Sequence, residues 1–323
     1  MSRTPPRTAP TATLADLPLA DGAAPQAPAA RVVRCDGVDL SIRHTPGGEH
    51  AEPAVMVHGL GGSALNWTDL AHQSRPYLDT DAIDLPGHGL SGPSRDGRYR
   101  LQDHTGTVIA YLEQSGRGPV HLFGNSMGGA ISILVAAQRP DLVRTLTLVS
   151  PAVPDVKRWR VHPLKHDPRM IVMAVPGLGE LALRRTARRV PADKRVAMLI
   201  RLCFGDPDRY PGPRLAEDVE QTRARLSMPW ADEAFLRSTR GLGRSQFAAP
   251  RVAWQAMRAI TAPTLVVWGT CDRLVAPDLL GYVAAAIPDS RQLMLDGVGH
   301  TAQMEDPRTV ARAFVAMRSA VAL

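Results

Sequence analysis

Lysine is almost missing from this chain: it supplies three of the 38 basic residues (Lys157, Lys165 and Lys194), and arginine scattered along the length supplies the rest. No DNA- or RNA-recognition module accompanies that charge, so the net +7 implies no nucleic-acid partner. Cysteine is scarce as well. Cys35, Cys203 and Cys271 are odd in number, far apart and without CxxC spacing, which argues against a disulfide framework or a zinc site and suits reduced thiols in a cytoplasm. No apolar run reaches the roughly 18 residues of a membrane-spanning helix, so no integral membrane segment is expected. Residues 1–30 are rich in proline and alanine, and Asp16 and Pro18 interrupt their best apolar stretch. They therefore lack the h-region of a secretory leader and are expected to form a disordered tail.

What the chain does have is enough apolar material, 44% of 323 residues, for one large α/β domain or one domain with a sizeable insertion. Asp36-Gly37 between two alternating runs (residues 31–35 and 38–42) signals a tight hairpin. Short apolar runs at 54–57, 81–84, 120–123 and 145–149 are separated by helical patterns near 65–73, 101–114 and 129–137. Such alternation predicts a parallel sheet with helices on both faces. The rhythm stops over residues 151–260, which hold prolines, arginines and no convincing strand; Met170, Met173, Met198 and Met228 there are adaptable apolar fillers suited to a pocket wall or to the segment's own core. The sheet resumes at 264–268 and 291–295, with helices at 279–286 and 307–319. The economical division is a disordered tail (1–30), one α/β domain in two pieces (31–150 and 261–323), and a helical cap (151–260).

The chemistry concentrates after the strands. Gly124-Asn125-Ser126-Met127-Gly128 lies between the run Val120-His121-Leu122-Phe123 and a helical segment. A serine on such a strand-turn-helix is exposed at a sharp turn, with small neighbours two residues to either side. The helix that follows aims free amides and its positive dipole end at the reacting centre. A serine hydroxyl needs a base, and the base needs an orienting group. His300, after a strand and the loop Asp296-Gly297-Val298-Gly299, and Asp272, after the strand ending at Trp268, are the candidates, since ligands and catalysis lie at the carboxyl edge of open α/β sheets. The order Ser, Asp, His is the one that accompanies a nucleophile elbow.

Five motifs then resemble one family. His58-Gly59-Leu60-Gly61-Gly62, Asp84-Leu85-Pro86-Gly87-His88-Gly89-Leu90-Ser91, Gly124-Asn125-Ser126-Met127-Gly128-Gly129, Trp268-Gly269-Thr270-Cys271-Asp272 and Gly299-His300 occur in the order and spacing of the α/β-hydrolase fold family, from Arg31 to the C-terminus. The resemblance implies a mostly parallel, doubly wound sheet with a helical cap. It implies Ser126 as nucleophile, His300 as general base and then acid, and Asp272 as the carboxylate orienting His300; Asp155 is the rival carboxylate. An oxyanion hole would form from the backbone N–H groups of Met127 and Leu60, with His58 and His88 bracing their loops. Gly59 and Trp67 are candidate substrate contacts. No metal and no organic cofactor is implied.

On substrate, the resemblance is broader. Haloalkane dehalogenases and epoxide hydrolases of this fold would carry an aspartate where Ser126 stands. The expectation is a cytoplasmic serine hydrolase acting on carboxylic esters of small or medium apolar acids through an acyl-enzyme. The elbow Gly-Asn-Ser-Met-Gly-Gly is also similar to that of the meta-cleavage-product hydrolases, which cleave a carbon–carbon bond next to a ketone. Those enzymes usually carry a proline where this chain has Gly61-Gly62 and a tryptophan where it has Thr301. A non-catalytic small-molecule receptor on the same fold is the alternative from another class. The clusters Arg184-Arg185 and Arg188-Arg189 read as a solvated charged helix face.

Overall fold

The computed structural model describes residues 8–21, 24–156, 172–173, 175–248 and 250–321. Asp36 (φ 45°) and Gly37 (φ 77°) form the expected hairpin turn, joining β1 (Ala30–Cys35) to β2 (Val38–Thr45). The strands β3 (Glu52–Val57), β4 (Leu78–Ile83), β5 (Val120–Asn125), β6 (Val143–Val149), β7 (Thr264–Gly269) and β8 (Ser290–Leu295) follow. Their order is β1-β2-β4-β3-β5-β6-β7-β8, with β2 antiparallel to its neighbours and all pairs from β4 to β8 parallel. This is the mostly parallel, doubly wound sheet that the alternation of elements predicts. Parallel order has a direct consequence: the residues after β3, β4, β5, β6, β7 and β8 all emerge at one edge.

Side chains alternate between two apolar layers, as strand geometry requires. Val55, Val57, Leu122, Val266 and Trp268 join one buried cluster with α2 (Leu101–Ser115), α3 (Met127–Gln138) and α9 (Leu279–Ala286). Ala54, Met56, Phe123, Leu265 and Val267 join the other with α1 (Thr68–Gln73) and α11 (Pro307–Val321). Because both faces are covered, these strands read as continuous apolar runs.

Between β6 and β7 the described residues hold only helices: α4 (Leu178–Arg189), α5 (Ala192–Cys203), α6 (Gly212–Leu226), α7 (Ala231–Phe247) and α8 (Pro250–Ala259). Helix α8 packs against α3, and its Met257, 0% exposed, lies in the sheet-facing core. Of the methionines expected along a pocket wall, Met170 lies outside the described residues, Met198 is exposed, and Met173 and Met228 are half-buried.

The segment expected to form a disordered tail makes backbone contacts with the body. Residues 1–7, 22 and 23 lie outside the described ones, but 8–21 and 24–30 form a strap across the body. Thr11 bridges Gln292 of β8, Ala12 N–H donates to Gln292 O (2.8 Å) and Gln292 N–H to Pro10 O (2.9 Å). Ala15 N–H then donates to Arg312 O and Ala20 N–H to Gln73 O, while Ala9 and Leu19 are buried. β8 is an edge strand whose free backbone groups need partners, and an extended Pro/Ala segment supplies them although its composition resembles a linker. Farther on, Arg214 of α6, 1% exposed, donates to Ala24 O (3.2 Å) and Pro25 O, and pairs with Glu217 and Asp69. The strap thus also ties down the insertion. Removal of residues 1–21 should lower the unfolding free energy by about 2–4 kcal/mol through the lost burial and edge pairing. A urea titration with an unchanged midpoint would show that the strap contributes nothing.

Candidate active site

Ser126 sits between β5 and α3 with φ 54° and ψ −118°, a conformation that a residue with a Cβ adopts only when its surroundings impose it. They do so by backbone bonds. Ser126 N–H donates to Val149 O (3.0 Å), and Ser126 O accepts from Ala130 N–H (3.0 Å) and Ala152 N–H (2.8 Å). Glycine is required where backbones meet: a Cβ at position 128 would stand 2.2 Å from Val57 O, and one at Gly59 would stand 3.0 Å from the Ser126 Cβ. The first amides of α3 have no intrahelical acceptor, and no side chain caps them. Met127 N–H is one of these.

Asp272 and His300 meet across the same edge. His300 Nδ1 lies 2.8 Å from Asp272 Oδ2, and both residues are 3% exposed. The other Asp272 oxygen accepts from Leu274 N–H (2.8 Å) and Val275 N–H (2.9 Å), which fixes the carboxylate's plane. Burial by itself would raise this carboxyl, but the His300 imidazole and the two amides outweigh it and hold it below the ordinary carboxylate range. A charged Asp272 keeps the imidazole proton on Nδ1. Nε2 is then left as the acceptor, buried and without a hydrogen-bond partner among the described residues. Asn125 Nδ2 donates to both Val149 O and His300 O (each 3.1 Å), linking the elbow to the histidine loop. Asn125 belongs to the elbow motif, and in the sequence only its position one residue before Ser126 hints at a part.

The loop after β3 is shaped by a histidine. His58 Nε2 accepts Leu85 N–H (3.0 Å), so the proton resides on Nδ1 and donates to Gly59 O (2.7 Å). Gly62 N–H donates to the same oxygen (3.1 Å). Across a trans peptide, holding the Gly59 carbonyl in this way turns Leu60 N–H to the opposite side. The His58 ring leans on His88 (centroids 5.6 Å apart), and His88 on His104 (5.7 Å), whose Nε2 meets Ser238 of α7 at 3.1 Å. Arg225 of α6 donates to Gly87 O and Gly89 O. Burial lowers the pKa of all three histidines, His104 to about 4.

Trp67 is the other candidate substrate contact besides Gly59. It is fully buried, packed edge-on against Phe123 with a centroid separation of 6.4 Å, and belongs to the core beneath the sheet. Its place just after the Gly-rich loop suggested the site, but the short helix Ala64–Trp67 turns it inward. Leu60 is half-buried, and Gly61 faces Phe235 of α7. A cavity of about 260 Å³ has Ala130, Ile133, Leu134, Val153, Arg100 and Arg244 in its lining, and none of Ser126, Asp272 or His300. It adjoins Ala152, which is bonded on one side to Ser126 O and on the other to Gln246 Nε2 (2.8 Å). Among the described residues no cluster of His, Cys, Asp and Glu could hold a metal ion, and no helix is long and apolar enough to cross a membrane.

Comparison with known proteins agrees with this geometry. Residues 53–307 match the family model described as alpha/beta hydrolase fold. Lipase 1 of Psychrobacter immobilis is 27% identical over 287 residues, covering 87% of this chain and 81% of that protein. The 2-hydroxy-6-oxononadienedioate/2-hydroxy-6-oxononatrienedioate hydrolase of Cupriavidus pinatubonensis is 26% identical, covering 88% of this chain and 92% of that one. Among solved structures, haloalkane dehalogenase DbeA from Bradyrhizobium elkani superimposes with a TM-score of 0.75 at 22% identity, covering 91% of this chain and 98% of the other. That likeness is one of fold.

The buried histidines make stability depend on pH. Unfolded, each takes up a proton below about pH 6.5; folded, His58, His88, His104 and His121 stay neutral to lower pH, His104 and His121 to about 4. Their contribution is therefore complete above pH 6.5 and is lost as pH falls from there toward 4, at about 1.4 kcal/mol per histidine per pH unit. Urea unfolding from pH 7.5 to 5 should show this slope, flattened in His104→Gln. A profile equally steep in that variant would acquit His104.

Proposed function

The chain belongs to the α/β-hydrolase fold family, and from that premise we propose that it is a serine esterase cleaving carboxylic esters of small or medium apolar acids. The observation that carries this reading is Ser126 at a strained elbow on the same sheet edge as a buried Asp272–His300 pair whose Nε2 is unpartnered among the described residues. Ser126 Oγ attacks the ester carbonyl while His300 Nε2 takes its proton. The oxyanion that forms accepts from Leu60 N–H and Met127 N–H, donors that belong to rigid backbone and need little reorganisation. His300 returns the proton to the departing alcohol, then activates water to release the acid from Ser126. Asp272 stabilises the imidazolium in both steps.

A second reading, hydrolysis of a carbon–carbon bond beside a ketone, is favoured by the likeness to the Cupriavidus hydrolase. Against it stand Gly61-Gly62 in place of the usual proline and Thr301 in place of the usual tryptophan.

A fluorophosphonate should label Ser126, and Ser126→Ala should lower kcat by about a millionfold if the three side chains act as a unit; an adduct mapped to another residue would remove the nucleophile from this reading. Asp272→Asn should lower kcat by about ten-thousandfold and Asp155→Asn by less than about tenfold, with the reverse pattern moving the carboxylate to the strand before it. Measurable turnover is expected of p-nitrophenyl esters of short and medium acids. Inert esters together with efficient cleavage of a vinylogous 1,5-diketone acid would install the second reading.

A further inference from the structure

Glu305 closes the short helix α10 (Ala302–Glu305), five residues beyond His300, and is 7% exposed. Its carboxylate accepts three backbone N–H groups from two separate parts of the chain. Oε2 accepts Gly299 N–H (2.8 Å), in the loop that carries His300, and Gly205 N–H (3.0 Å); Oε1 accepts Asp206 N–H (2.9 Å). Gly205 and Asp206 follow α5 and belong to the helical insertion. Around this carboxylate the two loops lie backbone to backbone. His300 N–H donates to Cys203 O (2.6 Å), a Cβ at Gly299 would stand 2.3 Å from that oxygen, and one at Gly205 would stand 2.2 Å from Gly297 O. Arg273, next to Asp272, donates to Phe204 O (3.3 Å) and Arg201 O.

From this juxtaposition we propose that Glu305 is a positioning residue: it clamps the end of α5 to the histidine loop, so that the insertion at this end holds His300 in place and does not act there as a hinged lid. The inference rests on the reading of His300 as the base. Charge-assisted bonds from a carboxylate to amides are short and strong, and here they converge on a site with little access to water. A glutamine at 305 keeps the shape but offers one oxygen acceptor instead of two, and its NH2 group faces an N–H it cannot satisfy. Whichever way the amide turns, the insertion loses an acceptor: for Asp206 N–H if the oxygen takes the Oε2 place, and for Gly205 N–H together with Gly299 N–H if it takes the Oε1 place. A displacement of about 1 Å at a catalytic group costs about a hundredfold in rate.

Glu305→Gln should therefore lower kcat for a p-nitrophenyl ester by about 10- to 100-fold with KM changed by less than about threefold. The rate of fluorophosphonate labelling at Ser126 should fall by the same factor, since both need His300 in register. Glu305→Asp, a carboxylate on a shorter stem, should lie between the two. A variant with a lowered melting temperature but unchanged kcat and labelling rate would overturn the proposal and leave Glu305 a purely structural residue. Should the glutamine variant fail to fold, hydrogen exchange on the unmodified protein decides: the amides of Gly205, Asp206 and Gly299 should exchange slowly and at one common rate, whereas fast exchange at Gly205 and Asp206 beside a protected Gly299 would overturn the clamp. That measurement needs no activity, so it separates failure of the clamp from failure of the esterase reading, which an unreactive Ser126 would reveal.

Discussion

At the carboxyl edge of the sheet, α3 passes so close to the end of β3 that a Cβ at position 128 would stand 2.2 Å from the Val57 carbonyl oxygen. The geometry of the candidate site descends from this approach. It forces the chain to reverse within one residue after β5, which places Ser126 at positive φ and leaves the first amides of α3 directed outward. It also brings the Gly59–Leu60 peptide against the serine, where His58 holds the Gly59 carbonyl on the far side. A larger residue at 128 or 59 would push these segments apart, so the strain at Ser126 is maintained by close packing of backbone around it.

The second constraint is the treatment of polar groups removed from water. A buried polar group without a partner is costly, and at this edge several have been given one that also fixes direction. Asp272 receives two amides and the His300 ring; His58 receives Leu85 N–H and donates to Gly59 O; Asp84, 0% exposed, accepts Ala64 N–H and Leu90 N–H. His300 Nε2 is buried and has no hydrogen-bond partner among the described residues, as do His88 Nε2, Ser150 Oγ and Thr301 Oγ1 nearby. Rigid support around an imidazole nitrogen free to accept a proton is the arrangement that general acid–base chemistry requires.

The insertion is part of that support. It reaches the core through Arg214 at the strap, through Ser238 and Arg225 at the histidine stack and its loop, and through Cys203–Phe204–Gly205 at the histidine loop. At the histidine loop the attachment is direct, since His300 N–H donates to Cys203 O.

Local chemistry made much of this legible in the sequence. Asp36-Gly37 dictates a hairpin because both positions tolerate positive φ, the apolar runs dictate buried parallel strands, and the glycines flanking Ser126 mark the elbow. His300 and Asp272 follow from their positions after strands. Tertiary structure decided what local pattern does not encode. The Pro/Ala segment is ordered because β8 presents an unpaired edge; α8 joins the sheet layer because Met257 finds the core; Trp67 turns inward because the short helix before α1 rotates it there. The bonds that Glu305 and Asn125 make are not encoded in their own neighbourhoods, since the partners lie about 100 residues away in sequence for Glu305 at the insertion and 175 for Asn125 at His300. Periodicity and turn chemistry are set by neighbours along the chain, whereas a hydrogen bond between distant loops exists only once the sheet has brought them together.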